Sequence, residues 1–166
     1  MIYVEAPKYR LTGKPRTIFL AGGITNCPDW QSAMVESLNH KHCMSDVIVF
    51  NPRRENFPIH DPEAANEQIK WEHHYLYGVD AVVFWFARGS LNPIVLFEYG
   101  KELGRRDGKH PKQWKKLFVG CDPEYERVDD VVIQTRLHEK QMGVEPMPIS
   151  NSLDGVIDRI VDWCQE

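Results

Sequence analysis

Two glutamates, Glu72 and Glu98, are the side chains of this sequence whose type and position best suit chemistry. Glu72 shares a predicted helical face with three apolar residues, at the spacing i, i+4, i+7 and i+11, and this face is expected to pack inward. The three are Ala65, Ile69 and Leu76. A carboxylate on such a face must be paired, hydrogen-bonded or protonated, because burial of an isolated charge is costly. The alternative is a buried face displaced by one position, which would leave Glu72 in solvent.

Glu98 lies within a largely apolar stretch, residues 93–100. A lone acid in such a stretch, on the helix that follows the central strand, is expected to face the sheet and the ligand crevice. The alternative is a solvated Glu98 that contacts Lys101 or Glu102 on the outer face of the helix. Two carboxylates in one crevice suit glycosyl chemistry, because one attacks an anomeric carbon while the other handles a proton.

The elements that must position these residues alternate between strands and helices. Apolar runs predict strands at residues 17–21, 47–50, 81–86, 116–120 and 131–133, after an irregular lead-in at 1–16. Helices are predicted at 28–40, at 62–77 after Asp61, at 93–106 after Asn92, and from Asn151 or Ser152 to near the last residue. Continuously apolar strands separated by helices indicate one α/β domain, doubly wound, with about five mostly parallel strands.

In sheets of this kind the ligand lies beyond the carboxyl ends of the strands. That rule selects residues 22–24, 51–54, 87–92 and 120–122. Gly22 and Gly23 would let a ligand approach the backbone closely, although a tight turn explains them equally well. Arg53 and Arg54 could hold a phosphate or a carboxylate as a fork, or could simply be solvated.

Composition excludes several classes of protein. The chain has 166 residues, 42% of them hydrophobic, and a formal net charge of −4, so it lacks the basic excess of a nucleic-acid binder. No apolar run is long enough to cross a membrane, and the first residues do not resemble a secretory signal. Four scattered cysteines without a CxxC pair favour a reducing cytoplasm.

Cofactor and metal motifs are also missing from the sequence. The glycines after the first strand do not form GxGxxG, and no P-loop or HExxH motif occurs. The histidines are scattered without ligand spacing. We therefore expect neither a cofactor nor a metal.

Six short segments, taken in order, resemble the nucleoside 2-deoxyribosyltransferase-like family. They are residues 18–24, 30–31, 51–54, 68–72, 79–86 and 93–100. The resemblance covers about residues 17–135, and its most specific part is Glu72 after Trp71 followed by Glu98 before Tyr99 and Gly100. It implies a flavodoxin-like fold over residues 1–166 that assembles as a homo-oligomer.

The resemblance also implies a reaction, a retaining two-step displacement. Glu98 matches the nucleophile that attacks C1′ of the deoxyribose, and Glu72 matches the acid near the nucleobase. Substrate-binding positions are implied at Gly22, Gly23, Ile24, Trp30, Asn51, Arg53, Arg54, Trp71 and Asn92. Two positions depart from familiar members, which have a tyrosine in place of Phe19 and an aspartate in place of Asn92.

These observations predict an enzyme that transfers or hydrolyses the deoxyribosyl group of a 2′-deoxynucleoside or its monophosphate. Its partner is this small molecule, with no nucleic acid and no membrane. One alternative is a non-catalytic nucleotide-binding module, since a fold does not determine a function. Another is an NAD glycohydrolase, which also uses a glutamate at a ribosyl carbon.

Overall fold

The structure is a computed structural model that describes residues 1–10 and 16–166. One sheet contains six strands, β1 (Ile2–Glu5), β2 (Arg16–Gly22), β3 (Val47–Asn51), β4 (Ala81–Phe86), β5 (Lys116–Cys121) and β6 (Ile149–Ser150). Five α-helices surround it, α1 (Trp30–Asn39), α2 (Pro62–Gly78), α3 (Pro93–Gly104), α4 (Val128–Met142) and α5 (Leu153–Gln165). The predicted doubly wound, flavodoxin-like α/β fold is confirmed.

The strand order determines where a ligand crevice opens. All neighbouring strands are parallel and follow the order β1-β3-β2-β4-β5-β6. β2 pairs with β3 on one side and with β4 on the other. The chain therefore moves to one side of β2 to form β3 and then crosses back to the other side to form β4. Such a reversal opens a crevice at the carboxyl ends of the central strands.

The first strand corrects the prediction of an irregular lead-in. Residues 2–5 form β1, which pairs with β3 in the register Ile2 to Ile48 and Val4 to Phe50. β1 is a short edge strand in which Val4 alone is buried, so its apolar pattern is weak. Residues 11–15 of the predicted lead-in lie outside the described residues.

The predicted strand at residues 131–133 is wrong. This apolar run lies inside α4, whose buried residues Val131, Thr135 and Glu139 are four positions apart. Ile133, in the same run, is exposed. Three apolar residues do not distinguish a strand from a helix, and here the longer helical period prevails. The last strand is instead the two-residue β6.

Helix starts follow the predicted capping chemistry in two places. Asp61 accepts a hydrogen bond from the backbone N–H of Glu63 at the start of α2, and Pro62 occupies the first turn. Ser152 caps α5 by accepting from the N–H of Gly155. These caps determine the residue at which α2 and α5 begin.

Alternation along the strands divides the core into two layers. On β2, Phe19 and Ala21 pack in the layer formed with α2, α3 and α4. Ile18 and Leu20 point the other way and pack with α1 and α5. Each fully buried leucine, isoleucine or phenylalanine side chain contributes about 1.5–3 kcal/mol to folding. Helices therefore cover both faces of the sheet, as predicted.

Among the residues that the structure describes, no helix combines the length and the apolar character needed to cross a membrane.

Candidate active site

A cavity of ≈ 380 Å³ opens at the carboxyl ends of the central strands. Its wall combines the ends of β2 and β3, the loop between β4 and α3, and one face each of α2 and α3. The lining residues are Phe19, Ala21, Gly22, Gly23, Ile24, Thr25, Pro52, Glu72, Ser90, Asn92, Pro93, Ile94, Val95 and Glu98. The wall is therefore mostly apolar, with two carboxylates facing into it.

Glu98 reaches this cavity from α3. The helix begins at Pro93, so Glu98 lies little more than one turn from its N-terminus. The next residue, Tyr99, packs against Phe84 in the core, with 5.1 Å between ring centroids. The structure therefore places Glu98 on the cavity wall and not on the outer face of the helix.

Glu72 reaches the cavity although the predicted helical face was wrong. The buried residues of α2 are Ala64, Gln68, Trp71, Tyr75 and Leu76, so the face is displaced by one position from the predicted set, of which Leu76 is buried as predicted. Ala65 and Ile69 are exposed, and Ile69 has 64% of its surface in solvent. Glu72 directly follows Trp71 and lies at the edge of the buried face, which is why it still faces the crevice.

The pKa values of both carboxylates are raised, and the charge of Glu72 contributes to the shift of Glu98. Burial, and then the charge of Glu72, raises the pKa of Glu98 to about 8, and Lys101 acts in the opposite direction. Burial also raises the pKa of Glu72, while a hydrogen bond from Gln68 lowers it. Near neutral pH Glu98 therefore carries a proton, and the pair resists the loss of its second proton.

Gly22 and Gly23 are required by close packing of the protein on itself. Neither glycine has a positive φ, so the backbone conformation of a turn does not by itself require glycine at these positions. A Cβ on Gly22 would lie 2.3 Å from the Trp30 ring, and one on Gly23 would lie 1.8 Å from Asn92 Oδ1. The two glycines line the cavity; Gly22 lets Trp30 pack behind the wall, and Gly23 lets Asn92 lie beside it in the wall.

Asn92 shapes the loop before α3. It occupies the predicted N-cap position, but its side chain makes no capping hydrogen bond and its backbone is left-handed, with φ 48°. Its amide nitrogen instead donates to the carbonyl oxygens of Ala87, at 2.8 Å, and Ser90, at 2.9 Å. The predicted side-chain cap is therefore wrong, because Asn92 Oδ1 accepts from the Cys27 thiol at 3.5 Å and not from the first turn of α3. An aspartate could not make the two amide donations.

Arg53 does not line the cavity. Its guanidinium donates to the Pro28 carbonyl at 3.1 Å and to Gln31 Oε1 at 3.2 Å, and it lies 3.6 Å from Asp29. These contacts hold the start of α1 against the end of β3. The arginine is neither free for a phosphate nor simply solvated.

Asn51 and Arg54 are likewise occupied elsewhere. The Asn51 amide donates to the Tyr3 hydroxyl at 2.9 Å and thereby joins β3 to β1. Arg54 lies 3.5 Å from Glu67 and over the ring of Phe57. The predicted arginine fork is therefore not assembled at the cavity.

Two tryptophans expected at the substrate lie behind the wall. Trp71 is completely buried, donates its indole N–H to the Lys8 carbonyl at 2.8 Å, and packs against Phe19. Trp30 donates its indole N–H to the Gly23 carbonyl at 3.0 Å. Both rings therefore support cavity residues instead of forming its surface.

Several wall residues were not among the predicted site residues. Phe19, Thr25, Pro52, Ser90 and the start of α3 all line the cavity. The rule about carboxyl ends could have found Pro52 and Ser90, since it selects residues 51–54 and 87–92. The same rule also selects 120–122, after β5, and these residues do not line the cavity.

The fold and the cavity define a flavodoxin-like α/β protein with two carboxylates at the switch point of its sheet. The family model described as nucleoside 2-deoxyribosyltransferase like matches residues 15–125, about two thirds of the chain. The chain therefore belongs to this family, and membership implies an enzyme with a small nucleoside substrate. The matched range contains every residue of the cavity wall. No curated protein matches the chain in sequence.

Proposed function

We propose that this protein cleaves the N-glycosidic bond of a 2′-deoxynucleoside or its monophosphate, with Glu98 as the nucleophile and Glu72 as the acid. The observation that carries the proposal is the meeting of these two carboxylates in one mostly apolar cavity of the family fold. Its volume of ≈ 380 Å³ lies within the usual range of small-molecule sites.

The pair holds one proton, which is the number the reaction needs, and this proton must move from Glu98 to Glu72 before Glu98 can attack. The reaction needs one ionised carboxylate to attack C1′ and one proton for the departing base. A pair that holds one proton has both. As substrate binds, the proton leaves Glu98 for Glu72, and the Glu98 carboxylate becomes free to attack.

The proposed reaction consists of two successive displacements at C1′. A Glu98 oxygen bonds to C1′, the bond from C1′ to the base nitrogen breaks, and that nitrogen keeps the electron pair and takes the proton from Glu72. In the second step water or another base attacks C1′, Glu72 removes a proton from it, and Glu98 leaves as a carboxylate. Two displacements at one carbon retain its configuration.

We propose further roles for the cavity wall. Gly22, Gly23, Ile24 and Asn92 line the cavity and are proposed to contact the substrate. Trp30, Asn51, Arg53, Arg54 and Trp71 are proposed to act indirectly, since their polar atoms bind other parts of the protein.

The test is incubation of the purified protein with a 2′-deoxynucleoside and a free second base, followed by chromatography. Transfer gives a new deoxynucleoside, and hydrolysis gives free deoxyribose and base. Binding without product would contradict the proposal and favour a nucleotide-binding module. Release of nicotinamide from NAD, with deoxynucleosides untouched, would favour an NAD glycohydrolase.

We also propose that residues 1–166 form one domain that assembles as a homo-oligomer in the cytoplasm. β6 and α5 lie outside the matched range but complete the same sheet and core.

Ile94 and Phe97, beside the cavity, expose 63% and 68% of their surface, which another copy could cover. All four cysteines are free thiols. Light scattering coupled to size exclusion tests the assembly, and a monomeric mass would contradict it.

A further inference from the structure

Gln68 contacts one of the two cavity carboxylates through a bond whose direction is determined. Its amide nitrogen lies 2.7 Å from the Pro52 carbonyl oxygen and 2.8 Å from Glu72 Oε1. A proline carbonyl can only accept a hydrogen bond, so the nitrogen of the amide must face it. The second N–H of the same nitrogen therefore donates to Glu72.

The other end of the Gln68 side chain is unusual. Gln68 has 9% of its surface exposed, and its Oε1 is buried without a hydrogen-bond partner in the described residues. An unpartnered buried acceptor is destabilising. The amide is therefore accounted for by its nitrogen alone, which holds the Pro52 carbonyl and donates to Glu72.

We propose that Gln68 is a positioning residue that keeps Glu72 the ionised member of the pair before substrate binds, so that the shared proton resides on Glu98. This inference rests on the proposed function for its consequence. A donor held against Glu72 favours the charged form of that carboxylate. It also orients Glu72 Oε1, the oxygen that later takes up the proton.

The charged groups identified near the pair act on Glu98, whereas Gln68 acts on Glu72. On α3, Lys101 and Glu102 act on Glu98, and Glu102 is itself paired with Arg105 and Lys115. The described wall residues from β2, β3 and β4 with their loops are glycines, apolar residues, Thr25, Ser90 and Asn92, none of which is charged. Gln68 is the favourable influence identified on the Glu72 charge.

The first test compares pH profiles of kcat/KM for the wild type and Gln68→Met, which keeps length but removes the donor. Without the donor the pKa of Glu72 rises, so the acid limb moves to higher pH by about one unit while the alkaline limb stays in place. Gln134→Met, the same change at an exposed position of α4, should leave both limbs unchanged. A uniform loss of rate with an unmoved acid limb would overturn the inference.

The second test does not depend on activity. Carbon NMR of the glutamate carboxyl groups, assigned with Glu72→Gln and Glu98→Gln, follows both titrations in the empty protein. We expect Glu72 to titrate below Glu98 in the wild type and to move upward in Gln68→Met. An unmoved Glu72 titration overturns the inference even if the enzyme is active. A moved titration without base release in the wild type upholds it and rejects the proposed function.

Folding of the variants is checked by thermal unfolding. Gln68→Met removes the unpartnered Oε1 but also leaves the Pro52 carbonyl without its donor, so the variant is expected to unfold near or modestly below the wild-type temperature. Gln68→Leu provides a second shape should methionine pack poorly. If neither variant folds, the amide serves stability and the inference is overturned.

Discussion

At the scale of a single residue, the surroundings of Glu98 disfavour the ionised form of its carboxyl group. Its pKa of about 8 reflects burial and the neighbouring charge of Glu72. The same conditions that make a carboxylate reactive make its ionised form costly in the folded protein. Activity and stability should therefore respond in opposite directions when this side chain is changed.

Glu98→Gln should abolish base release and stabilise the protein at neutral pH. Between the reference pKa of 4.5 and the folded value of about 8, the folded state binds more protons than the unfolded state. Stability therefore falls as pH rises through this window, and the amide removes the effect. The gain is at most about 3 kcal/mol at pH 7 and absent below pH 4. Urea unfolding at both pH values measures it, and an equal difference at both would contradict the prediction.

Glu72→Gln should slow the reaction by about 10²- to 10⁴-fold, the usual contribution of an acid–base group. Glutamine cannot donate a proton to the leaving base, and removal of the Glu72 charge lowers the pKa of Glu98. The pH profile of kcat/KM should lose one limb and keep a single rise with the ionisation of Glu98. The profile of the variant would count against the acid–base role if it matched the wild type.

At the scale of elements, the cavity depends on how two loops fit together. The loop after β2 presents Gly23, and the loop after β4 presents Asn92 against it. Asn92 in turn binds its own loop through two carbonyl groups. The shape of the cavity therefore depends on contacts between loops as much as on the helices behind them.

Asn92→Asp should destabilise the protein by about 2 kcal/mol or more, because it replaces two donated hydrogen bonds with a buried carboxylate facing carbonyl oxygens. Restoring the aspartate of familiar family members would thus not restore a familiar site. Asn151→Asp, at an exposed position, is the matched control and should change stability little. Chemical unfolding compares the two, and equal effects would contradict the prediction.

Gly23→Ala should destabilise the protein and reduce activity, because the new Cβ would lie 1.8 Å from Asn92 Oδ1 and 2.4 Å from Cys27 Sγ. Gly100→Ala is the control within α3, where a Cβ meets nothing within 4 Å. That change should stabilise the helix by about 0.5–1 kcal/mol. Unfolding curves with the two variants side by side test the claim, which fails if Gly23→Ala is as stable as the wild type.

At the scale of the whole molecule, the segment that matches the family model does not include all the elements that build the core. The family match ends at residue 125, but α5 places Val156, Ile157 and Ile160 in the core beside β5. Trp163 also contacts Phe118, with 5.7 Å between ring centroids. α5, which lies beyond the match, therefore covers part of one face of the sheet.

A chain that ends before Leu153 should not fold cooperatively, because the sheet face under α5 would be exposed to water. The full chain should show one cooperative unfolding transition by circular dichroism, and the shortened chain none. A shortened chain with a native-like transition would contradict the proposal of one domain over residues 1–166.

Much of this architecture could be predicted from local patterns. The strand at residues 81–86 and the start of α2 after Asp61 match the structure, because a long apolar run and a cap with a first-turn proline are strong local signals. β1 and the helix around Val131 were missed, because a short edge strand and a three-residue apolar run take their structure from neighbours.

The sequence by itself determined the alternation of buried strands and helices, the family, and the two acids worth considering. Only the tertiary structure decided that Glu72 reaches the cavity from the edge of a shifted face, that Arg53 is engaged by the loop before α1, and that Gln68 contacts Glu72. Periodicity is a property of neighbouring residues and is readable along the chain. The direction of a hydrogen bond and the ionisation of a carboxylate depend on groups that are distant in sequence, and these meet only once the sheet is assembled.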